Sequence, residues 1–260
     1  MTAMWTDTHC HLDDERYRGK NDLGGTDGVL TSARAAGVDT FITVGCDRRS
    51  SLTAIDCASA HPDVWASVGL HPHEASLGVA SIVDLIGSPR VVAVGEAGLD
   101  YYYDHAPRDA QRTAFAEQTQ LAVQHSLPLI IHTRDAWDDT FDILSADALP
   151  PAIIFHCFTG GPNEAKRALD MGAFLSFSGI VTFPSATEVA EAALLCPDDR
   201  VLLETDSPYL APVPLRGRTN QPANVAVVGR FLADLKRCDH AEFALRTSEN
   251  ARIAFPRLNS

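Results

Sequence analysis

Two histidines separated by a single residue, His9 and His11, are the first side chains in this sequence whose types and spacing could do chemistry. On a β-strand alternate residues share a face, so both imidazoles project to one side and converge on one point. That is half of a divalent-metal site, and the remaining ligands must come from elsewhere in the chain. Glu96, His132, His156 and Asp206 each stand at or just past the end of a short apolar run that reads as a strand. Hydrogen-bonded histidines near an N-terminus would explain His9 and His11 alone, but not four more polar residues in the same setting. Six such ligands exceed what one tetrahedral ion takes, whereas two ions sharing a bridging carboxylate use them all. Glu96 is assigned as the bridge. Histidine with carboxylate suits zinc, manganese and, less well, magnesium, so two divalent ions of these kinds are expected, or three.

The elements that must position these residues alternate regularly. Strand signals at residues 40–45, 64–69, 91–95, 128–131, 152–155, 173–178 and 200–206 follow a first strand carrying the histidine pair. Helical patterns occupy residues 28–37, 50–60 (capped by Ser50 or Ser51), 80–86, 108–125, 136–145, a segment ending at Met171, and 186–195, with a helical tail over 223–235 and 240–255. Eight strand–helix units in one unbroken alternation imply a parallel sheet closed into a (β/α)8 TIM barrel, one domain over residues 1–260. An open doubly wound sheet would carry a glycine-rich phosphate turn after its first strand, where this chain has His-x-His. In a barrel the site lies at the C-terminal ends of the strands, which is where this reading puts all six ligands.

Composition narrows the function classes. The net charge of -13 opposes nonspecific coating of nucleic acid, which depends on neutralising phosphates. With 45% hydrophobic and 21% charged residues, and no apolar run of the roughly 18 residues that span a bilayer, no membrane segment is expected. No basic-then-apolar leader is visible, so a cytoplasmic address is the default expectation. Six scattered cysteines without a C-x-x-C pair read as reduced, mostly buried thiols. Cys10, between the two histidines, should face the other way and pack in the core. Nothing indicates an obligate protein partner.

Six stretches, in order along nearly the whole chain, carry a family resemblance. They are Asp7-Thr-His-Cys-His-Leu-Asp13, Val68-Gly-Leu-His-Pro-His73, Gly95-Glu-Ala-Gly-Leu-Asp-Tyr-Tyr102, Ile131-His-Thr-Arg-Asp135, His156-Cys-Phe-Thr-Gly160 and Leu203-Glu-Thr-Asp-Ser-Pro-Tyr209. The chain resembles the TatD family of metal-dependent deoxyribonucleases, within the amidohydrolase barrel superfamily. The resemblance implies that His9, His11, Glu96, His132, His156 and Asp206 hold the metals. It also implies that Asp206 orients or deprotonates a metal-bound water, making Asp206 and Glu96 the catalytic carboxylates. Where the family often reads Gly-Lys-Arg-Asn-Glu-Pro, this chain has Gly217-Arg-Thr-Asn-Gln-Pro222, so a carboxylate has become Gln221. Substrate contacts in that loop cannot be carried over.

Further candidates flank the ligands. His71 could donate to a phosphoryl oxygen or be a turn histidine fixed by Pro72; His73 could do likewise or be solvated. Arg134 could bind a phosphate bidentately or pair with Asp135. Glu204, two residues before Asp206, could be a further ligand or hold a ligand in place. Residues 101–103, all tyrosine, could stack a base or pack, and Asp100 could cap its loop. Arg16, Arg18, Lys20, Arg216 and Arg218, from the loops after the first and eighth strands, could form a basic patch, or be offset locally by Asp13, Asp14, Glu15 and Asp22.

A paired-metal site points to hydrolysis. The resemblance implies DNA as partner and substrate, cleaved at phosphodiester bonds from an end by metal-activated water. The alternatives are hydrolysis of a carboxylic ester or amide, such as an aminoacyl-tRNA ester, and a noncatalytic metal-binding scaffold.

Overall fold

In the computed structural model, which describes residues 4–18 and 23–259, eight parallel strands pair in sequence order. They are β1 (Trp5–Cys10), β2 (Val38–Val44), β3 (Val64–Val68), β4 (Val91–Asp100), β5 (Leu129–Arg134), β6 (Ile153–Phe155), β7 (Phe174–Phe177) and β8 (Val201–Leu203). The segment after β8 returns to β1: Cys10 bridges Ser207, the His11 N–H donates to the Ser207 carbonyl at 2.8 Å, and the Asp206 N–H to the His9 carbonyl at 2.9 Å. These contacts close the (β/α)8 barrel that the alternation predicts.

Around it lie α1 (Gly25–Ala35), α2 (Arg48–Ala60), α3 (Arg108–Gln124), α4 (Trp137–Ala146), α5 (Pro162–Asp170), α6 (Thr187–Leu195), α7 (Val225–Lys236) and α8 (His240–Ala254). Because helices cover the sheet outside and side chains fill it inside, strands such as β4 are buried along their whole length. One apolar cluster joins Ile42, Val92, Ile130, Ile154 and Leu202 to Ala251, Ala254 and Phe255 of the tail. The Arg257 guanidinium donates to the carbonyl of Val91, the first residue of β4. The tail therefore stoppers the N-terminal end of the barrel, leaving the opposite end open to chemistry.

Several elements depart from the sequence expectation. The run at 80–86 is not an α-helix: 3-10 turns at Pro72–Leu77, Val79–Ser81 and Val83–Leu85 replace it. Punctuation by Pro72, Gly78 and Gly87 leaves runs too short for helix nucleation to be repaid. The N-cap of α2 is Asp47, one turn earlier than Ser50 or Ser51; Ser50 completes the capping box from the third helical position. Strand β4 continues past Gly95 to Asp100, and β8 stops at Leu203, three residues before Asp206. Asp206 instead turns out of the sheet at φ 52°, a left-handed conformation that Asp tolerates better than most residues. All six cysteines are free thiols, but only Cys10 and Cys196 are buried and the other four are half-buried. Lys20 and Asp22 lie outside the described residues. Among those described, no helix is long and apolar enough to cross a membrane.

Candidate metal centre

All six expected ligands meet at the C-terminal end of the barrel, arranged around the carboxylate of Glu96. Its Oε1 faces His132 Nδ1 and His156 Nε2, both at 2.9 Å, and His71 Nε2 at 3.5 Å. Its Oε2 faces His9 Nε2 at 3.3 Å and Cys46 Sγ at 3.9 Å. Asp206 Oδ1 closes the other side, 3.4 Å from His11 Nε2 and 3.9 Å from His9 Nε2. The His9 ring stacks on His156 with centroids 3.8 Å apart. One carboxylate thus presents its two oxygens to two different sets of imidazoles, the arrangement a bridging ligand requires.

Backbone placement comes from strand register. Gly98 of β4 pairs with His132 of β5, so Glu96 and Asp100, two residues to either side on the same face, flank that imidazole. The pairing is close: at Gly98, with φ 143°, a Cβ would lie 1.9 Å from the His132 carbonyl oxygen. A side chain there would displace the strand that carries His132.

The outer nitrogens of three imidazoles are held, which sets what their inner nitrogens can do. His132 Nε2 lies 3.2 Å from Asp100 Oδ2, and His156 Nδ1 lies 3.2 Å from Glu204 Oε1. Against burial, Asp100 and Glu96 raise His132, and Glu96 and Glu204 raise His156, so both rings favour the protonated form; the outer N–H donates to a carboxylate, and metal ligation would replace the inner proton. His71 is the reverse case. Its Nδ1 accepts from the His73 N–H at 3.2 Å, so the neutral ring carries its proton on Nε2, toward Glu96. Burial lowers the His71 pKa to about 4, which keeps the ring neutral. Through Nε2 it is a hydrogen-bond donor rather than a ligand.

Burial alone would raise Glu96, but the charge of His156 and hydrogen bonds from His132 and His156 hold it well below the usual carboxylate range. Burial likewise opposes the ionised form of Asp206, and the His11 hydrogen bond with the charges of His156 and His9 brings it below its ordinary value. His9 is lowered, chiefly by burial. It is fully buried, and neither ring nitrogen has a hydrogen-bond partner among the described residues; Glu204 Oε2 is likewise unpartnered. Buried polar atoms left unpaired are costly. Among the described residues, donor atoms of His9, His11 and Asp206 lie within 4.8 Å of one another, as do those of His9, Glu96 and His156. The orphaned imidazole and the clustered nitrogen and oxygen donors fit divalent cations.

The flanking candidates separate. Glu204 is wholly buried, accepts from the Cys157 N–H at 2.9 Å and orients His156. Asp100 caps its turn through Oδ1, accepting from the Tyr102 and Tyr103 N–H groups, while Oδ2 faces both His132 and His73. Sequence reading assigned Asp100 the cap alone. Arg134 does not pair with Asp135; its guanidinium lies 4.0 Å over the Tyr102 ring and 4.8 Å over Tyr103. Tyr101 is tied to Asp139 by its hydroxyl, whereas Tyr102 and Tyr103 are exposed. Arg16 ion-pairs with Asp14 at 2.8 Å and lies over Tyr209, and Arg216 lies over Phe183. The first and eighth loops therefore touch, but the charge of Arg16 is offset locally. Cys46 and Asp7 escaped the sequence reading. Asp7 is fully buried and accepts from the N–H and hydroxyl of Thr205, pinning the segment that carries Asp206 to β1.

Comparison with known proteins gives the family. A family model described as TatD related DNase matches residues 6–256. The metal-dependent hydrolase YabD of Bacillus subtilis is 39% identical over 257 residues, covering 97% of this chain and 99% of that protein. The metal-dependent hydrolase YcfH of Escherichia coli K12 is 39% identical over 247 residues, covering 94% and 92%. Among solved structures, the TatD homologue YjjV of Escherichia coli K12 superposes with a TM-score of 0.89 at 28% identity, covering 98% of this chain and 99% of that one. On the strength of a match over nearly its whole length and of relatives this similar, the chain belongs to the TatD-related DNase family of metal-dependent hydrolases.

Proposed function

We propose that this protein is a deoxyribonuclease that hydrolyses phosphodiester bonds, removing nucleotides from a DNA end, with two divalent ions held by His9, His11, Glu96, His132, His156 and Asp206. The observation that carries the reading is the two-sided carboxylate of Glu96, facing His132 and His156 through one oxygen and His9 through the other, in a chain whose family is described as DNase. Ions bound there would supply Lewis acidity toward a phosphoryl oxygen and activate water near neutral pH.

The chain's own residues take the remaining roles. Asp206, whose side chain is 16% exposed at the mouth, accepts the proton of the attacking water. It is ionised for that task, because its neighbours hold it below the ordinary carboxylate range. His71 donates its Nε2–H toward the oxygen that gains charge as the phosphorus is attacked. Glu204 and Asp100 fix the rings of His156 and His132. Arg134, which makes no ion pair among the described residues, offers its guanidinium to a phosphate from over Tyr102.

The test is an activity panel on protein reconstituted with zinc, manganese or magnesium, using single-stranded DNA, duplex DNA, RNA, aminoacyl-tRNA and a simple phosphodiester. Mononucleotides released progressively from DNA are the expected product. Release of free amino acid from aminoacyl-tRNA, with DNA untouched, would replace this reading by carboxylic-ester hydrolysis.

A further inference from the structure

The thiol of Cys46 is placed differently from most of the other cysteines. Cys10, Cys196 and Cys238 turn their sulfur to a backbone carbonyl, and Cys157 turns its own to the Ser178 hydroxyl. Cys46 Sγ instead faces Glu96 Oε2 at 3.9 Å. Its sulfur, a Glu96 oxygen and a His11 nitrogen lie within 4.8 Å of one another. The backbone makes this juxtaposition firm. Cys46 lies two residues past the end of β2; its N–H donates to Ser50 Oγ at 2.9 Å and its carbonyl accepts the His71 N–H at 2.8 Å. The preceding residue, Gly45, accepts the Glu96 N–H at 3.2 Å, so thiol and carboxylate hang from hydrogen-bonded neighbours.

A second observation marks the same side of Glu96 as one that lacks a ligand. Oε2, the oxygen that Cys46 faces, is also the one facing His9 Nε2, and His9 is wholly buried with neither ring nitrogen hydrogen-bonded among the described residues. The Glu96 oxygen that Cys46 faces is thus shared with a buried imidazole that has no hydrogen bond among the described residues, while His11 supplies the nitrogen nearest the sulfur. The 3.9 Å between Sγ and Oε2 is less than the sum of one metal–sulfur and one metal–oxygen bond, about 2.3 and 2.0 Å, so one ion can reach both atoms.

We propose that Cys46 is a further metal ligand, forming with His11 and Glu96 a sulfur-containing subsite on the Oε2 side that selects a thiophilic ion such as zinc over magnesium or manganese. The inference rests on the reading that the cluster binds divalent ions, and adds what sets their identity. On ligation the S–H bond breaks, the proton leaves to solvent, and the sulfur binds as thiolate without any change in oxidation state. Thiolate is a soft donor that suits zinc and cobalt, whereas magnesium and manganese prefer carboxylate, carbonyl and water.

Metal-free full-length protein titrated with Co2+ tests this without reference to activity. The expected result is a near-ultraviolet sulfur-to-cobalt charge-transfer band alongside the weaker visible bands of bound Co2+. Cys46→Ser and Cys46→Ala should both abolish the charge-transfer band while retaining visible bands and a native circular dichroism spectrum, and Cys157→Ser should keep it. In chelator competition the Cys46 variants should lose on the order of tenfold in Zn2+ affinity with little change for Mn2+. Visible bands without a charge-transfer band in the wild-type protein, or a band that survives in both Cys46 variants, would overturn the proposal and leave the metal site standing. Failure of Co2+ to bind at all would overturn the metal site and the proposal together.

Discussion

Asp100 and His132 are joined across neighbouring strands, with Asp100 Oδ2 3.2 Å from His132 Nε2 while His132 Nδ1 lies 2.9 Å from Glu96. The ring is thereby a rigid relay between a buried carboxylate and the cluster. Because the other oxygen of Asp100 caps the turn at Tyr102 and Tyr103, the two functions can be separated. Asp100→Asn keeps an oxygen for the turn but loses the anion that fixes the His132 tautomer. It should fold, and bind metal some 10- to 100-fold more weakly in chelator competition, the usual cost of losing such a partner. Unchanged affinity would leave Asp100 with the turn alone.

Glu96→Gln addresses the bridge. The substitution preserves volume but weakens the donor that faces both sets of imidazoles. The variant should fold, since the site lies at the barrel mouth, yet lose at least one metal equivalent by elemental analysis and most hydrolytic activity. A full metal complement would refute the bridging assignment.

Chelation should cost stability. The cluster buries Glu96 and Glu204 among imidazoles, with His9 and Glu204 Oε2 unpartnered among the described residues, and a cation that binds only the folded state stabilises it by mass action. At a free concentration one hundred times Kd the gain is about 2.7 kcal/mol, which for a chain of this size raises Tm by on the order of 5–10 °C. Calorimetric scans with and without chelator measure it. Coincident scans would mean that the folded cluster holds no tightly bound ion.

How much of this was legible beforehand depends on which physics each feature obeys. The barrel was, because strand and helix periodicities are local. The convergence of the six candidate residues was, because histidine or a carboxylate at the end of an apolar run is rare without a task. Asp100 was half-legible: the cap is a local pattern, but its reach to His132 depends on the pairing of Gly98 with His132, and β4 was expected to end five residues too early. Cys46 carried no signal. A cysteine after an apolar strand reads as core, and only closure of the barrel brings it to Glu96, fifty positions away. Asp206 was placed at the end of a strand, whereas it stands beyond β8 in a left-handed turn that hydrophobic pattern does not encode.

So acidic a protein, at -13, would need a local platform to hold a DNA end. The basic patch expected between the first and eighth loops is weakened by the pairing of Arg16 with Asp14. The better platform is Tyr102 and Tyr103, 59% and 51% exposed, with Arg134 lying over both rings and Tyr103 stacked on His105 at 5.4 Å. Bases of a single strand can stack on such faces irrespective of sequence, at about 1–3 kcal/mol per base. Tyr102→Ala and Tyr103→Ala should therefore weaken binding of a short single-stranded DNA by roughly 5- to 150-fold each, read by fluorescence anisotropy. The dependence of affinity on salt should change little, because no phosphate contact is removed. Arg134→Gln should instead flatten that dependence by about 0.7 for each phosphate lost. Turnover of a small phosphodiester, which has no base to stack, should be nearly unchanged in the two tyrosine variants. Equal losses on both substrates would show that the tyrosines act by supporting His73 and Asp100 and not by touching DNA.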